Sequence, residues 1–162
     1  MSAFGVIFCA YNTADLLPIS LPPWIAARRA ALGGHQFKIC AVCCPFEGFN
    51  HEGPIDDTLE VLHAHLERGE IDHLVTTPIP ISEIKARGEA LRWLVDQGVD
   101  YLWQADNDEE IVQQDIFNIS QYVQDRPYVP WFRVSYRNLV FDARHYLAEP
   151  FTPARIHRVD VG

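Results

Sequence analysis

Tyr101-Leu102-Trp103-Gln104-Ala105-Asp106-Asn107-Asp108-Glu109-Glu110 is the stretch that decides the fold. Its first half is rich in β-formers and its second half is acidic or amide throughout, so a buried strand ends abruptly in a polar cluster. Upstream, Ser82 and Glu83 open a segment with apolar residues at Ile84, Leu91, Leu94 and Val95, and Gly98 closes it, which predicts a helix between a cap and a glycine stop. Downstream, Val112, Ile116, Ile119 and Val123 recur at helical intervals, and the acidic cluster is expected to cap that helix. Helix, strand and helix follow one another with little linker.

The same alternation runs back to the N-terminus. Gly5 to Ala10 is a short apolar run ending at Tyr11-Asn12-Thr13, a buried strand entering a turn. Pro18, Pro22 and Pro23 keep any helix before Leu21 short, and Pro23 suits the start of a helix through Ala31 that stops at Gly33-Gly34. Phe37 to Cys44 predicts a second strand, followed by a loop over 45–54. Asp56 or Asp57 then caps a helix carrying Leu59, Leu62 and Leu66 and ending at Gly69. His73 to Thr77 predicts a third strand, and the quoted stretch holds the fourth. Such alternation implies an α/β fold: a mostly parallel central sheet with helices on both faces, right-handed crossovers, and a ligand site at the carboxyl ends of the strands. Val129 to Tyr136 and Asn138 to Phe141 are expected as further, antiparallel strands, and the remainder to Gly162 has no clear period.

Length and composition set one domain over 1–162: the chain has 162 residues, 48% apolar and 22% charged, the balance of an ordinary globular core. No stretch is long and apolar enough for a membrane span, and Met1 to Gly5 lacks the basic start of a secretory signal, so the mature chain is expected to begin here. Cys9, Cys40, Cys43 and Cys44 lie in apolar runs, which favours buried thiols in a reducing, cytoplasmic setting over a disulfide framework or a zinc site. The net charge of −9 is unevenly spread, with seven basic and nineteen acidic residues in 1–125, whereas six arginines against three acids follow. Arginine suits phosphate or carboxylate, but so acidic a chain lacks the broad basic field that nucleic acid requires.

Asp106-Asn107-Asp108 carries the sharpest chemistry. On a strand the side-chain period is two, so Asp106 and Asp108 point one way and Asn107 the other. Two carboxylates on one face repel unless a cation lies between them. Mg²⁺ or Mn²⁺ meets that need, since these hard ions take oxygen ligands and commonly bind through one or two carboxylates plus substrate phosphates. The other reading of these acids is a helix N-cap cluster.

With these residues in view, the chain resembles the nucleotide-diphospho-sugar transferases of the GT-A (Rossmann-like) fold, most like family-2 glycosyltransferases. The resemblance rests on Ala10-Tyr11-Asn12 after the first strand, the helical Lys85-Ala86-Arg87-Gly88-Glu89-Ala90-Leu91, and Asp100 to Ala105 running into the D-x-D of Asp106 and Asp108. It covers roughly residues 5 to 125. It implies a UDP- or GDP-sugar donor, a glycan or other hydroxyl acceptor, and transfer with inversion. By resemblance Ala10, Tyr11, Asn12, Glu47, Arg87, Asp106 and Asn107 line the nucleotide site. Asp106 and Asp108 hold Mn²⁺ or Mg²⁺, with His157 as a late metal ligand and Arg155 or Arg158 against the diphosphate.

The chain departs from the family pattern where the second strand ends in Cys43-Cys44-Pro45-Phe46-Glu47-Gly48 instead of an acidic pair, with Glu47 the nearest acid. Gly88 stands where the family often has asparagine. Only 54 residues follow Asp108, so a minimal or C-terminally truncated member of the pattern is expected. An inverting transfer needs a base for the acceptor hydroxyl, and that expectation falls on Glu149 and then Asp142. Trp131 and Tyr136 lie where an acceptor is expected. The short C-terminal region is compatible with a homodimer covering exposed apolar surface. A catalytically silent nucleotide-sugar or glycan-binding domain is the alternative, and a nucleotidyltransferase would normally carry a glycine-rich first loop that Tyr11-Asn12-Thr13-Ala14 lacks.

Overall fold

A computed structural model describes residues 1–48, 56–136, 139–140, 142–146 and 152–159, with the backbone path alone for 139–140 and 142–146. At its centre β1 (Ala3–Cys9) pairs in parallel with β2 (Gln36–Cys43) on one side and β4 (Tyr101–Asp106) on the other. β3 (His73–Thr76) extends the sheet beyond β2, also in parallel. Beyond β4 come β8 (Ala154–Arg158) and β5 (Trp131–Arg133), giving the order β3-β2-β1-β4-β8-β5. β8 is antiparallel to both its neighbours.

Side-chain alternation divides the core into two layers. Phe4, Val6 and Phe8 of β1 face one layer with Trp24, Leu62, Ile116 and Val123, whereas Ile7 and Cys9 face another with Ala86, Ala90 and Leu94. The helices follow. α1 (Leu17–Ser20), α2 (Pro22–Arg29), α3 (Thr58–Glu67) and α5 (Gln113–Gln124) contribute to the first layer, and α4 (Glu83–Asp96) to the second. Chain direction explains the split. The steps β1 to β2 and β2 to β3 move the same way along the sheet and use one face, and the step from β3 back to β4 reverses direction, so a right-handed crossover carries α4 over the opposite face. Gly5 permits the close seat of that helix, because a Cβ there would lie 3.1 Å from Leu94 Cδ1 and 3.1 Å from Val99 Cγ2.

Three sequence expectations change. α5 begins at Gln113 with Val112 as its N-cap residue, so the acidic cluster does not cap it; Ile111 tucks into the core between them. The strand expected over Val129 to Tyr136 is only the short β5. The one over Asn138 to Phe141 is β6 (Leu139–Val140), which pairs with β7 (Asp142–Tyr146) outside the main sheet. The tail without a clear period supplies β8, whose only fully buried side chain is Ile156. The Cys40-x-x-Cys43 spacing puts the two thiols on opposite faces of β2, since three residues is an odd step on a strand. Burial pushes the Cys9, Cys40 and Cys43 thiols up to about 12.

Candidate functional site

The strand order reverses about β1, with β2 on one side and β4 on the other, and the crevice beyond their carboxyl ends is the usual ligand position in such sheets. A cavity of about 380 Å³ lies there. Cys9, Ala10, Tyr11 and Thr13 line it from the end of β1 onward, Val42, Cys44 and Phe46 from the end of β2 onward, Arg87 from α4, and Asp106, Asn107 and Asp108 from the end of β4 onward.

The floor is fixed by hydrogen bonds from distant parts of the chain. Asn107 is buried, and its Nδ2 donates to the Thr13 carbonyl oxygen at 3.0 Å while its Oδ1 accepts from the Ser20 hydroxyl. Thr13 N donates to Thr58 Oγ1 at 2.8 Å, and Ala14 N donates to Asp56 Oδ2 at 2.8 Å. The loop after β1 is therefore tied both to the end of β4 and to the start of α3. Asn12 takes a left-handed conformation there, with φ 53°, a position that asparagine tolerates better than most side chains.

Charge is concentrated on the α4 side. Arg87 Nη2 donates to Asp106 Oδ1 at 2.7 Å, and its Nε donates to Glu83 Oε1 at 2.7 Å. Arg155, delivered by β8, reaches the other oxygen: its Nη2 is 3.0 Å from Asp106 Oδ2 and also pairs with Glu109. Both carboxylate oxygens of Asp106 thus face guanidinium groups. Glu109 Oε2 accepts from Asp106 N at 3.3 Å. Burial raises the Glu109 carboxyl above its ordinary value although Arg155 opposes the shift, and burial together with Glu109 raises the Tyr136 hydroxyl. Arg87 Nη1 and Arg155 Nε are buried without a hydrogen-bond partner, which leaves donor capacity unspent beside the cavity.

The structure brings Ala10, Tyr11, Arg87, Asp106, Asn107 and Asp108 to one cavity. Glu47 is not among them: it is exposed, its N–H donates to the Ile81 carbonyl oxygen at 3.0 Å, and Phe46 stands on the lining instead. His157 is also elsewhere. The β4–β8 register pairs it with Leu102, four residues before Asp106, or roughly 13 Å along the strand. Arg155, two residues earlier on β8, is what reaches Asp106. Arg158 donates to the Pro127 carbonyl oxygen, away from the cavity. Glu149 lies outside the described residues, and of Asp142 only the backbone at the start of β7 is described. Sequence reading missed Glu109; its place three residues after Asp106 was visible, but its partners Arg155 and Tyr136 were not.

Asp106 and Asp108 present hard oxygen donors to the same cavity, a set that fits Mg²⁺ or Mn²⁺ when a phosphate supplies further oxygens. Among the described residues no three His, Cys, Asp or Glu side chains group to hold an ion unaided. A second cavity, of about 440 Å³, lies between α5 and β5, where Glu110, Tyr122, Phe132 and Tyr136 contribute to its walls. Asp108 lines the first cavity and Glu110 the second, so the chain after β4 runs from one to the other. Trp131 is half exposed on β5, and the Arg133 guanidinium carbon lies 5.6 Å from its ring centroid.

No family model matches the chain, and no curated protein matches its sequence. Solved structures do. TarS of S. aureus superimposes over 81% of this chain and 20% of its own, at 14% identity and a TM-score of 0.53. TarS 1-349 in complex with UDP matches over 76% of this chain and 32% of its own, at 15% identity and a TM-score of 0.52. CMP:2-keto-3-deoxy-manno-octonic acid synthetase complexed with CTP matches over 97% of this chain and 74% of its own, at 13% identity and a TM-score of 0.51. The fold is GT-A-like. The GT-A-like chain spans a fifth to a third of the TarS chains and about three quarters of the synthetase. Among the described residues no helix of this GT-A-like fold is long and apolar enough to cross a membrane.

Proposed function

We propose that the chain is a nucleotide-sugar-dependent glycosyltransferase that moves a sugar from a UDP- or GDP-sugar to a hydroxyl of a glycan or other acceptor, with inversion. The observation that carries this reading is the single cavity beyond β1 and β4 lined by Tyr11, Arg87, Asp106 and Asp108. Tyr11 and the loop after β1 offer an aromatic wall for the base. Asp106 and Asp108 would hold Mg²⁺ or Mn²⁺, which supplies charge neutralisation to a leaving diphosphate. Arg87 adds a planar fork suited to phosphate oxygens, with Nη1 still unpartnered. The second cavity, with Tyr122 and Tyr136, is the acceptor side in this reading. The acceptor base is expected at Glu149 or Asp142.

The first test is calorimetric binding of UDP, GDP, CDP and ADP with and without Mn²⁺, followed by release of nucleoside diphosphate from the corresponding donor sugars. Binding of one nucleotide and its release from a donor support transfer. Failure of every nucleoside phosphate to bind overturns the reading. A second reading, nucleotidyl transfer, draws support from the greater share of the CTP-bound synthetase that the chain spans. Pyrophosphate release from CTP or UTP in the presence of a sugar acid, without donor-sugar turnover, would favour it. Binding without either reaction would leave a catalytically silent nucleotide-sugar domain.

A further inference from the structure

Arg87 and Asp106 belong to a chain of alternating charges, Glu83, Arg87, Asp106, Arg155 and Glu109, of which Arg87 and Asp106 line the first cavity. Arg87 and Asp106 are part-buried, with side chains 20% and 24% exposed, so neither is fully relieved by water. A divalent cation arriving alone would have to displace a guanidinium from Asp106, leaving Arg87 with Glu83 as its one carboxylate partner. A diphosphate arriving alone would reach Arg87 while two carboxylates, Asp106 and Asp108, still face it. Arriving together, the two ligands would exchange partners with the pair: the cation would take the carboxylate oxygen, the diphosphate would take the guanidinium, and each part-buried charge would gain a partner for the one it gives up. Arg87 is placed for that exchange because it lines the cavity and its Nη1 already lacks a partner.

We infer that the Arg87–Asp106 ion pair is an interlock that makes nucleoside-diphosphate binding and divalent-cation binding mutually dependent. This rests on the nucleotide-sugar reading of the same cavity. The pair joins in the free protein the two groups that would hold the cation and the phosphates, so it also keeps Asp106 and Arg87 oriented before either ligand arrives. By linkage the coupling is reciprocal, and each ligand tightens the other by the same factor. Removing either half of the pair therefore releases one ligand from its dependence on the other. Asp106→Asn frees Arg87 for phosphate without a cation. Arg87→Ala frees one oxygen of Asp106 for a cation without phosphate.

Calorimetry on the whole chain with UDP, GDP, CDP and ADP, each in EDTA and in Mn²⁺, and with Mn²⁺ alone, tests this. For the nucleotide that binds, the wild type is expected to bind it at least about tenfold more tightly with Mn²⁺, within the range usual for coupled sites. Asp106→Asn, nearly isosteric, is expected to bind it in EDTA about tenfold more tightly than the wild type does in EDTA, and to gain little from Mn²⁺. Arg87→Ala is expected to bind Mn²⁺ alone more tightly than the wild type does; if that variant fails to fold, Asp106→Asn decides by itself. Loss of nucleotide binding by Asp106→Asn in both buffers, or equal wild-type binding with and without Mn²⁺, overturns the interlock and leaves the nucleotide site standing. Absence of wild-type binding for all four nucleotides overturns the donor reading and the interlock with it.

Discussion

Asn107 shows what a single residue contributes to this site. Between two aspartates it reads as a spacer, yet it is the buried member of the three and connects the ends of β1 and β4 through Thr13 and Ser20. Asn107→Ala is expected to cost about 1–3 kcal/mol, because it removes hydrogen bonds worth about 0.5–1.5 kcal/mol each to the Ser20 hydroxyl and the Thr13 carbonyl oxygen, which keep only their Leu16 partners. Urea denaturation would measure this, and an unchanged midpoint would remove Asn107 from the scaffold. The strand period foretold that Asn107 turns away from its neighbours. What it turns toward was not legible, since Thr13 and Ser20 lie about ninety residues earlier and nothing local marks them as partners. Asp106 teaches the same lesson. Its spacing from Asp108 was evident, whereas the two arginines that grip it arrive from α4 and from a strand that had no visible period.

At the level of elements, the crossovers place the site and polar clips hold them. Asp72, at the entry to β3, accepts from Arg28 Nη2 at 2.7 Å and Nε at 3.0 Å and from Ile39 N at 2.8 Å, joining α2 to β2. Burial alone would raise its carboxyl, but the Arg28 and Ile39 hydrogen bonds and the charges of Arg28 and Lys38 outweigh burial and hold it below the ordinary range. A carboxyl lowered in the folded state stabilises fully above its unfolded value of about 3.9, and that stability is lost as the pH falls from there through the folded value. Thermal midpoints between pH 6 and pH 2.5 should therefore drop more steeply for the wild type than for Asp72→Asn. Parallel slopes would show that the clip is uncoupled from folding. The four alternating strands and helices up to α5 were readable because apolar runs, prolines and glycine stops bound each of them. β8 was not, because a strand with one buried residue between arginines and a histidine has no periodic signature.

Across the whole molecule, β8 closes what the N-terminal sequence begins. It pairs with β4 through Tyr101, Leu102 and Trp103 and carries β5 on its other edge, so the late segment completes a sheet whose other partners were set much earlier in the chain. It also delivers Arg155 to Asp106 and Glu109 beside the cavity. A chain lacking 152–162 should lose β5 as well as β8 and expose the flank of Trp103. Its urea transition is then expected to broaden with a smaller m-value, as less surface is released on unfolding, while near-ultraviolet circular dichroism weakens. A sharp transition with the full-length m-value would mean that the first four strands are a sufficient core.

While Arg87 was expected only from the family resemblance, the sequence by itself determined the α/β alternation, the edge of the sheet at which ligands would gather, and the D-x-D pair that lines the cavity there. These follow from local periodicity, capping and strand alternation, which each residue carries in its immediate neighbours. Tertiary structure alone decided that Arg155 and not His157 meets Asp106, that Glu47 stays outside the lining, and that the acidic cluster is a turn and not a helix cap. The first depends on antiparallel register between segments some fifty residues apart, the second on the parallel bridge of Phe46 to Ile81, and the third on how Ile111 packs. Register between distant strands is set by the fit of the whole core, so no short stretch of the chain encodes it.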